Sequence, residues 1–548
     1  MKIALGQINP TVGDFCGNAA KIISYTREAQ QRGADLILFP ELAICGYPPR
    51  DLVEKPSFVT RNGETLGRIA RETQGISVIC GLVTPAKSET GKSVMNSAAW
   101  LCDGRVEFMQ SKMLLPTYDV FDEDRYFAPA RKQEVFGFNG SKVALTICED
   151  AWNDKHFWQK RLYNIDPVEE LVRSGGNLVL NISASPFTVH KREIRLKMLQ
   201  AIAADFKVPI VMCNQVGGND GLIFDGSSLV IGADGRVLAQ AKSFEEDLVL
   251  FDTETLAGDI HDQPSLSEAA AYAALVLGTR DYVQKCGFKK AVIGLSGGID
   301  SALTAVIAVD ALGKENVTGV SMPGPYSSQG SKDDARELAQ NLGIRYEVIP
   351  ITSTFDSFRE ALNPLFQGLP EDFTEENLQS RLRGSTLMAL SNKFGALVLT
   401  TGNKSEMAVG YCTLYGDMCG ALAVIADVPK TVVYRLAEYR NGISPVIPRS
   451  TIEKVPSAEL RPNQTDQDTL PPYDVIDCIL QGYVEEYKTA EEIAKEHGYD
   501  CKLVMSVIRM IERSEYKRQQ AAPVLKISQK AFGTGRRFPI AAKYESEC

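Results

Sequence analysis

The apolar strand 292–295 (VIGL) runs through Ser296-Gly297-Gly298-Ile299-Asp300-Ser301 straight into a helical segment, and this junction constrains the fold more than any other feature. Strand and helix keep alternating around it: helix 268–286, strand 289–296, helix 301–312, strand 317–323, helix 332–342, strand 345–351, helix 375–394 and strand 396–402. Strands separated by helices of this length imply right-handed crossovers and a doubly wound parallel sheet, with ligands at the carboxyl ends of the strands. At that end the two glycines allow a tight turn and present consecutive N–H groups, and the helix start adds partial positive charge. The hydroxyls of Ser296 and Ser301 can donate to phosphate oxygens, and Asp300 can hold a divalent cation. The loop has no lysine of the G-x-x-x-x-G-K-[ST] type, which points to chemistry at an α-phosphate with pyrophosphate as leaving group. Read as structure alone, the same residues form a strand–helix turn capped by Asp300 or Ser301.

The polar stretch 252–267 (DTETLAGDIHDQPSLS) has no apolar period and is read as a linker between domains 1–251 and 268–548. The first half is a series of short runs rich in Val, Ile and Leu at 2–7, 35–39, 77–83, 142–148, 177–183 and 208–214. These have the form of buried strands. A helix over 18–32 and a hairpin over 226–239 complete an α/β domain with much antiparallel pairing. Three residues beside these strands carry chemistry: Glu41 in FPEL, Lys112 in SKMLLP and Cys148 in ICED. A thiolate nucleophile needs a base, and the oxyanion it creates needs a positive donor. Glu, Lys and Cys meet both needs without a histidine.

Composition narrows the partners. A chain of 548 residues with a net charge of −10 is expected to hold two or more domains and not to be built chiefly for nucleic-acid phosphate. No apolar run approaches the ~20 residues of a membrane span, and Asn9, Pro10 and Asp14 interrupt any signal-peptide pattern. Twelve cysteines without a C-x-x-C pair and four histidines without ligand spacing read as a reduced, cytoplasmic chain with no zinc site.

The S-G-G-x-D-S string resembles the signature of the ATP pyrophosphatase superfamily. Residues 377–384 (NLQSRLRG), 400–417 (TTGNKSEMAVGYCTLYGD), 456–466, 470–474 and 517–540 are similar to NAD synthetases in particular. The resemblance implies ATP binding by Gly294, Leu295, Ser296, Gly297, Gly298, Ile299, Asp300, Ser301 and Thr401. It implies deamido-NAD binding by Asn377, Glu406 and Lys517, with Mg²⁺ shared between Asp300 and Glu406. One position departs from the pattern, Ala421, where glycine is expected.

The Glu41, Lys112 and Cys148 trio resembles the nitrilase superfamily, and residues 1–265 look like its glutamine amidase branch. That implies an αββα sandwich in which Glu41 is general base, Lys112 stabilises the oxyanion and Cys148 forms a glutamyl thioester. Tyr118, Ser185 and Lys191 would contact glutamine. Together the two resemblances imply a carbon–nitrogen ligase converting deamido-NAD⁺, ATP, glutamine and water into NAD⁺, AMP, pyrophosphate and glutamate. Ammonia would pass between the sites inside a homo-oligomer built through the second domain. A synthetase amidating another acceptor, an amidase with a nucleotide-sensing second half and a non-catalytic scaffold are the competing readings.

Overall fold

Alternate residues of the central strands of the first unit enter different cores, and this sets its layers. Ile3 and Leu5 of the strand Lys2–Gln7 lie with Leu36, Leu38, Ile79 and Trp100, and meet Val143, Leu145, Leu180, Ile182 and Val211 of a second sheet. Ala4 faces the other way, with Ile37 and Val78, against Phe15, Ala19 and Ile22 of the helix Phe15–Gln31 and Ile69 of Pro56–Glu72. On the far side, Ala144, Val179 and Ile210 are covered by Leu171 of the helix Pro167–Arg173 and by Met198 and Ile202 of Lys191–Phe206. Strands buried on both faces need apolar residues at every position, which is why they read as continuous hydrophobic runs. The four layers form an αββα sandwich.

The computed structural model describes residues 1–87, 90–366 and 368–542. It divides into two compact units, Met1–Ser265 and Leu266–Cys548. In the first, a seven-stranded sheet has Lys2–Gln7, Leu36–Leu38 and Ser77–Pro85 parallel at its centre, with antiparallel strands outside them. In the six-stranded sheet, Ser141–Ile147, Leu178–Ser183 and Ile210–Asn214 are parallel and the flanking strands antiparallel. The hairpin expected over 226–239 is the antiparallel pair Leu229–Ile231 and Val237–Gln240. Within 252–267, Ala257–Gly258 adds a two-residue edge to the larger sheet, and the next helix starts at Ser267.

The second unit has five parallel strands in the order Arg345–Val348, Val317–Ser321, Lys290–Gly294, Ala396–Thr400, Leu422–Ala423. The chain enters at the central strand, builds outwards to one side and then returns to build the other. The switch point therefore lies at the carboxyl end of Lys290–Gly294, where the glycine loop begins. A separate helical core, centred on Ile476, Ile479, Val504 and Ile508, follows the sheet.

Among the described residues no helix is long and apolar enough to cross a membrane. Ten cysteines are free thiols, Cys148 among them. Cys501 is disulfide-bonded, against the expectation of a fully reduced set, and Cys548 lies outside the described residues.

Candidate active sites

In the first unit, Cys148 begins a 3₁₀ turn, Cys148–Ala151, at the end of the strand Ser141–Ile147. Its φ of +45° is left-handed, a strain of about 1–3 kcal/mol that non-glycine residues accept where a side chain must be aimed. Asp150 holds the turn by accepting from the N–H groups of Met113, Leu114 and Ile147 at 3.0, 2.9 and 3.1 Å. These bonds also tie the Lys112 segment to the Cys148 turn.

Glu41 enters from a loop that crosses the strand Ser77–Pro85 at Gly81. A Cβ there would come within 2.1 Å of the Leu42 nitrogen, so only glycine lets the two backbones approach. Lys112 Nζ and Asn96 Nδ2 both donate to Glu41 Oε1 at 2.7 Å, and the Ala184 N–H donates to Oε2 at 2.9 Å. The same Lys112 ammonium donates to both oxygens of Glu123 at 2.8 Å, and Tyr47 OH donates to Glu123 Oε1 at 2.9 Å.

Glu41 and Lys112 have no solvent exposure, and Cys148 is 4 % exposed. Burial, then Glu41, push the Cys148 thiol well up, while Lys112 pulls it down. Burial alone would lower the Lys112 ammonium, but Glu123 and Glu41 outweigh it and hold the lysine protonated. Burial also pushes Glu123 up to about 7, with Lys112 opposing. A resting thiol beside a carboxylate base and a permanently charged ammonium is the equipment for acyl transfer. Replacing Lys112 by methionine leaves two buried carboxylates facing each other, and we expect a loss of about 3–5 kcal/mol. Denaturant unfolding of the variant measures it.

Tyr118 and Lys191 stand beside the same turn, and Ser185 follows Ala184, whose N–H meets Glu41. Tyr118 OH donates to Glu149 at 3.1 and 3.0 Å, and Tyr163 OH adds a third bond at 3.2 Å. Lys191 Nζ lies 5.3 Å from the centre of the Trp152 ring and 5.9 Å from that of Phe121. Burial brings its ammonium down to about 8 against the attraction of Cys148 and Glu149. Ser185 is buried and its N–H donates to Asn214 Oδ1 at 2.9 Å.

In the second unit a cavity of about 580 Å³ opens at the sheet's switch point. Gly294, Leu295, Ser296, Gly298, Ile299, Asp300, Ser301, Asn377, Thr401, Glu406 and Lys517 all line it. Gly297 does not; it is the hinge behind the loop, with φ +81° and room for no Cβ, which would come within 2.2 Å of the Ser331 carbonyl oxygen. Ser296 and Ser301 hydroxyls lie 3.1 Å apart, and the Gly298 N–H donates to Ser296 Oγ at 3.2 Å. Asn377 Oδ1 accepts from Thr413 at 2.8 Å, and Lys517 Nζ donates to the carbonyls of Gly410 and Cys412 at 2.7 Å each. The extra methyl of Ala421 is accommodated: its N–H donates to Val398 and its carbonyl accepts from Tyr282 OH.

Asp300 accepts from Asn403 Nδ2 at 3.0 Å and pairs with Lys430, whose Nζ is also 3.7 Å from Glu406. Burial, then the charge of Asp300, push the Glu406 carboxyl up to about 8. A second hard-oxygen donor beside Asp300, pushed towards its neutral form by burial and by that neighbouring charge, suits a divalent cation. Among the described residues no group of three or more His, Cys, Asp or Glu encloses a metal. Asp300 and Glu406 are two carboxylates of the cavity that could contribute to holding a divalent cation.

Glu123, Asn96, Asn403 and Lys430 are absent from the sequence reading. Glu123 sits in the acidic run 122–124 (DED), which looks like a solvated helix start, and only folding shows it buried on Lys112. Lys430 opens a helix after Pro429 and looks like an ordinary surface lysine until its pairing with Asp300 is seen.

Two family models match the chain in succession. The family model described as carbon-nitrogen hydrolase matches residues 2–257, and the one described as NAD synthase matches 271–521. A glutamine-dependent NAD(+) synthetase of Synechocystis sp. is 49 % identical over all of this chain and 99 % of its own length. Its counterpart from Thermotoga maritima is 45 % identical with the same coverage. A solved glutamine-dependent NAD+ synthetase from Acinetobacter baumannii, in complex with ADP, superposes with a TM-score of 0.78 at 43 % identity. It covers 100 % of this chain and 99 % of that one.

Proposed function

The chain belongs to the glutamine-dependent NAD(+) synthetases, and from that premise we propose how its residues divide the reaction. It is a ligase that uses glutamine nitrogen and ATP to turn deamido-NAD⁺ into NAD⁺. In our reading residues 1–251 release ammonia and 268–548 consume it, with 252–267 between them.

At the first site Glu41 takes the Cys148 proton as sulfur attacks the glutamine amide carbon. Lys112 faces the developing oxyanion, and the amide nitrogen leaves as ammonia with a proton returned from Glu41. Water then attacks the thioester, Glu41 again accepting a proton, and glutamate departs. Glu123 keeps Lys112 charged and fixed. The amino-acid end of glutamine is zwitterionic, and the charges beside Cys148 match it. Lys191 suits the α-carboxylate, and Glu149, held by Tyr118 and Tyr163, suits the α-ammonium. Ser185 supplies a further polar contact.

At the second site, the glycine loop from Gly294 to Ser301 and Thr401 bind ATP, while Asn377, Glu406 and Lys517 bind deamido-NAD⁺. The nicotinate carboxylate is inert to ammonia because its leaving group would be oxide. Attack on the α-phosphate makes an acyl adenylate and expels pyrophosphate, which the loop N–H groups and the Ser296 and Ser301 hydroxyls receive. Ammonia then displaces AMP. Asp300 and Glu406 would hold Mg²⁺, which when bound would supply charge neutralisation at the phosphates. Catalysis here is positioning and electrostatics, with no protein nucleophile.

The single observation that carries this reading is the pairing of a buried Glu41–Lys112–Cys148 centre with a 580 Å³ cavity built on the S-G-G-x-D-S loop. Parallel assays of NAD⁺ formation from deamido-NAD⁺ and ATP, with glutamine and with ammonium, test it. Activity with neither nitrogen source, or with another carboxylate acceptor only, refutes it. We further propose a cytoplasmic homo-oligomer built through the second unit, the ten free thiols among the described residues supporting a reducing compartment. Light-scattering mass is its test.

Lys191 gives a pH signature. Its charge is present below about 8 and lost as pH rises through that value. The KM for glutamine is therefore expected to climb above pH about 8, by up to about tenfold per unit, while ammonium-driven synthesis keeps its own profile. Lys191→Arg should abolish that limb, because a guanidinium stays charged.

A further inference from the structure

Behind the glutamine-contact residues lies a buried ion pair that the chemistry above does not use. Arg195 sits one helical turn after Lys191 on the helix Lys191–Phe206, and its guanidinium grips Asp225 with Nη1–Oδ1 at 3.2 Å and Nη2–Oδ2 at 2.5 Å. Both side chains are at most 3 % exposed. Asp225 closes the strand Leu222–Asp225, and Asn214 closes the strand Ile210–Asn214. Asn214 joins them: its Nδ2 donates to Asp225 Oδ1 at 3.4 Å and to the Gly226 carbonyl at 2.9 Å. Its Oδ1 accepts the Ser185 N–H at 2.9 Å. The residue before Ser185, Ala184, donates its N–H to Glu41.

Stability alone is a poor reason for this arrangement. Burying an ion pair costs desolvation that its attraction repays only with complete hydrogen bonding, and Arg195 Nε has no partner among the described residues. What the pair does achieve is a rigid side-chain link between the helix that carries Lys191 and the strand end beside Ser185, in addition to the backbone bond from Phe187 N–H to the Ile223 carbonyl. We propose that Arg195, Asp225 and Asn214 are positioning residues for glutamine, locking Lys191 and Ser185 at a fixed spacing beside the Glu41–Lys112–Cys148 centre. Arg195 sets the helix start that carries Lys191, Asn214 sets the backbone of Ser185, and Asp225 couples the two. The charge of Arg195 also helps to lower the Lys191 ammonium. This rests on the reading that Ser185 and Lys191 contact glutamine.

The test uses the full-length enzyme with two variants. Asn214→Ala keeps the ion pair and cuts the link to Ser185. The double variant Arg195→Met/Asp225→Leu removes both charges together, so that neither is left buried and alone. In both we expect glutamine kcat/KM to fall roughly 10–100-fold, carried by KM, as misplaced contact groups produce. Glutamine kcat and ammonium-driven NAD⁺ formation should stay near wild type, and the unfolding midpoint of the double variant should match the parent. A glutamine KM at the wild-type value in Asn214→Ala overturns the proposal, whatever the double variant does. A KM restored in a stable double variant likewise reduces the pair to a structural one. Lys191→Met is measured alongside: a KM unmoved by it overturns the glutamine-contact reading and this proposal with it. A KM raised by Lys191→Met and not by the other variants overturns the proposal alone.

Discussion

Cys148→Ala is expected to cut glutamine-driven NAD⁺ formation by about 10⁴–10⁶-fold, the range seen when a nucleophile or its partner is removed. Synthesis from added ammonium should stay close to wild type. The asymmetry follows from where the residue stands. Cys148 is in the first unit, on the 3₁₀ turn that ends the strand Ser141–Ile147, and it is not among the residues that line the second unit's cavity. Alanine is smaller than cysteine and leaves Glu41, Lys112 and Glu123 paired as they are, so the loss is chemical and not structural. Steady-state assays with each nitrogen source measure it, and equal loss of both activities would show that the two sites do not act separately.

Asp300→Ala should behave in the opposite way, losing synthesis with glutamine and with ammonium alike by about 10³-fold, the scale of losing one electrostatic contact to a developing charge. Asp300 is where several charges meet: it accepts from Asn403, pairs with Lys430 and raises the Glu406 carboxyl by its charge. Without it Lys430, 3 % exposed, keeps the 3.7 Å contact with Glu406 and its place 5.3 Å from the centre of the Tyr473 ring. Asp300→Asn retains the shape and removes the charge, so an equal loss in both variants assigns the effect to the carboxylate. ATP-dependent pyrophosphate release reports the step directly. Wild-type glutamine-driven rates in either variant would remove Asp300 from the mechanism.

Much of this was legible in the chain because the informative residues are local. The glycine loop is contiguous, and each of Glu41, Lys112 and Cys148 stands beside a strand whose apolar run marks it. Strands read as 142–148 and 317–323 end slightly earlier, at Ile147 and Ser321, because the chain turns as soon as a functional residue must face the site. The helix Thr352–Phe366 carries no clear sign in the sequence: Pro364 interrupts its pattern and Phe355 is its one buried residue. The edge strand Leu422–Ala423 is only two residues long, and its parallel bridge to Val524 joins positions a hundred residues apart. Glu123, Asn96 and Lys430 share that difficulty. Their roles come from partners distant in sequence, and an isolated acid, amide or lysine carries no sign of which partner it will meet.

The division of each central strand between two cores has a consequence for how such a chain can change over evolutionary time. Inserting one residue into Lys2–Gln7 would send Ile3 and Leu5 to the helical side and Ala4 to the sheet–sheet side, exchanging large and small groups in two cores at once. A substitution can be absorbed locally, but a change of length cannot. Insertions and deletions are therefore expected to be tolerated in the connections, and the strands beside Glu41, Lys112 and Cys148 to be intolerant of a change in residue count even where a side chain can be exchanged.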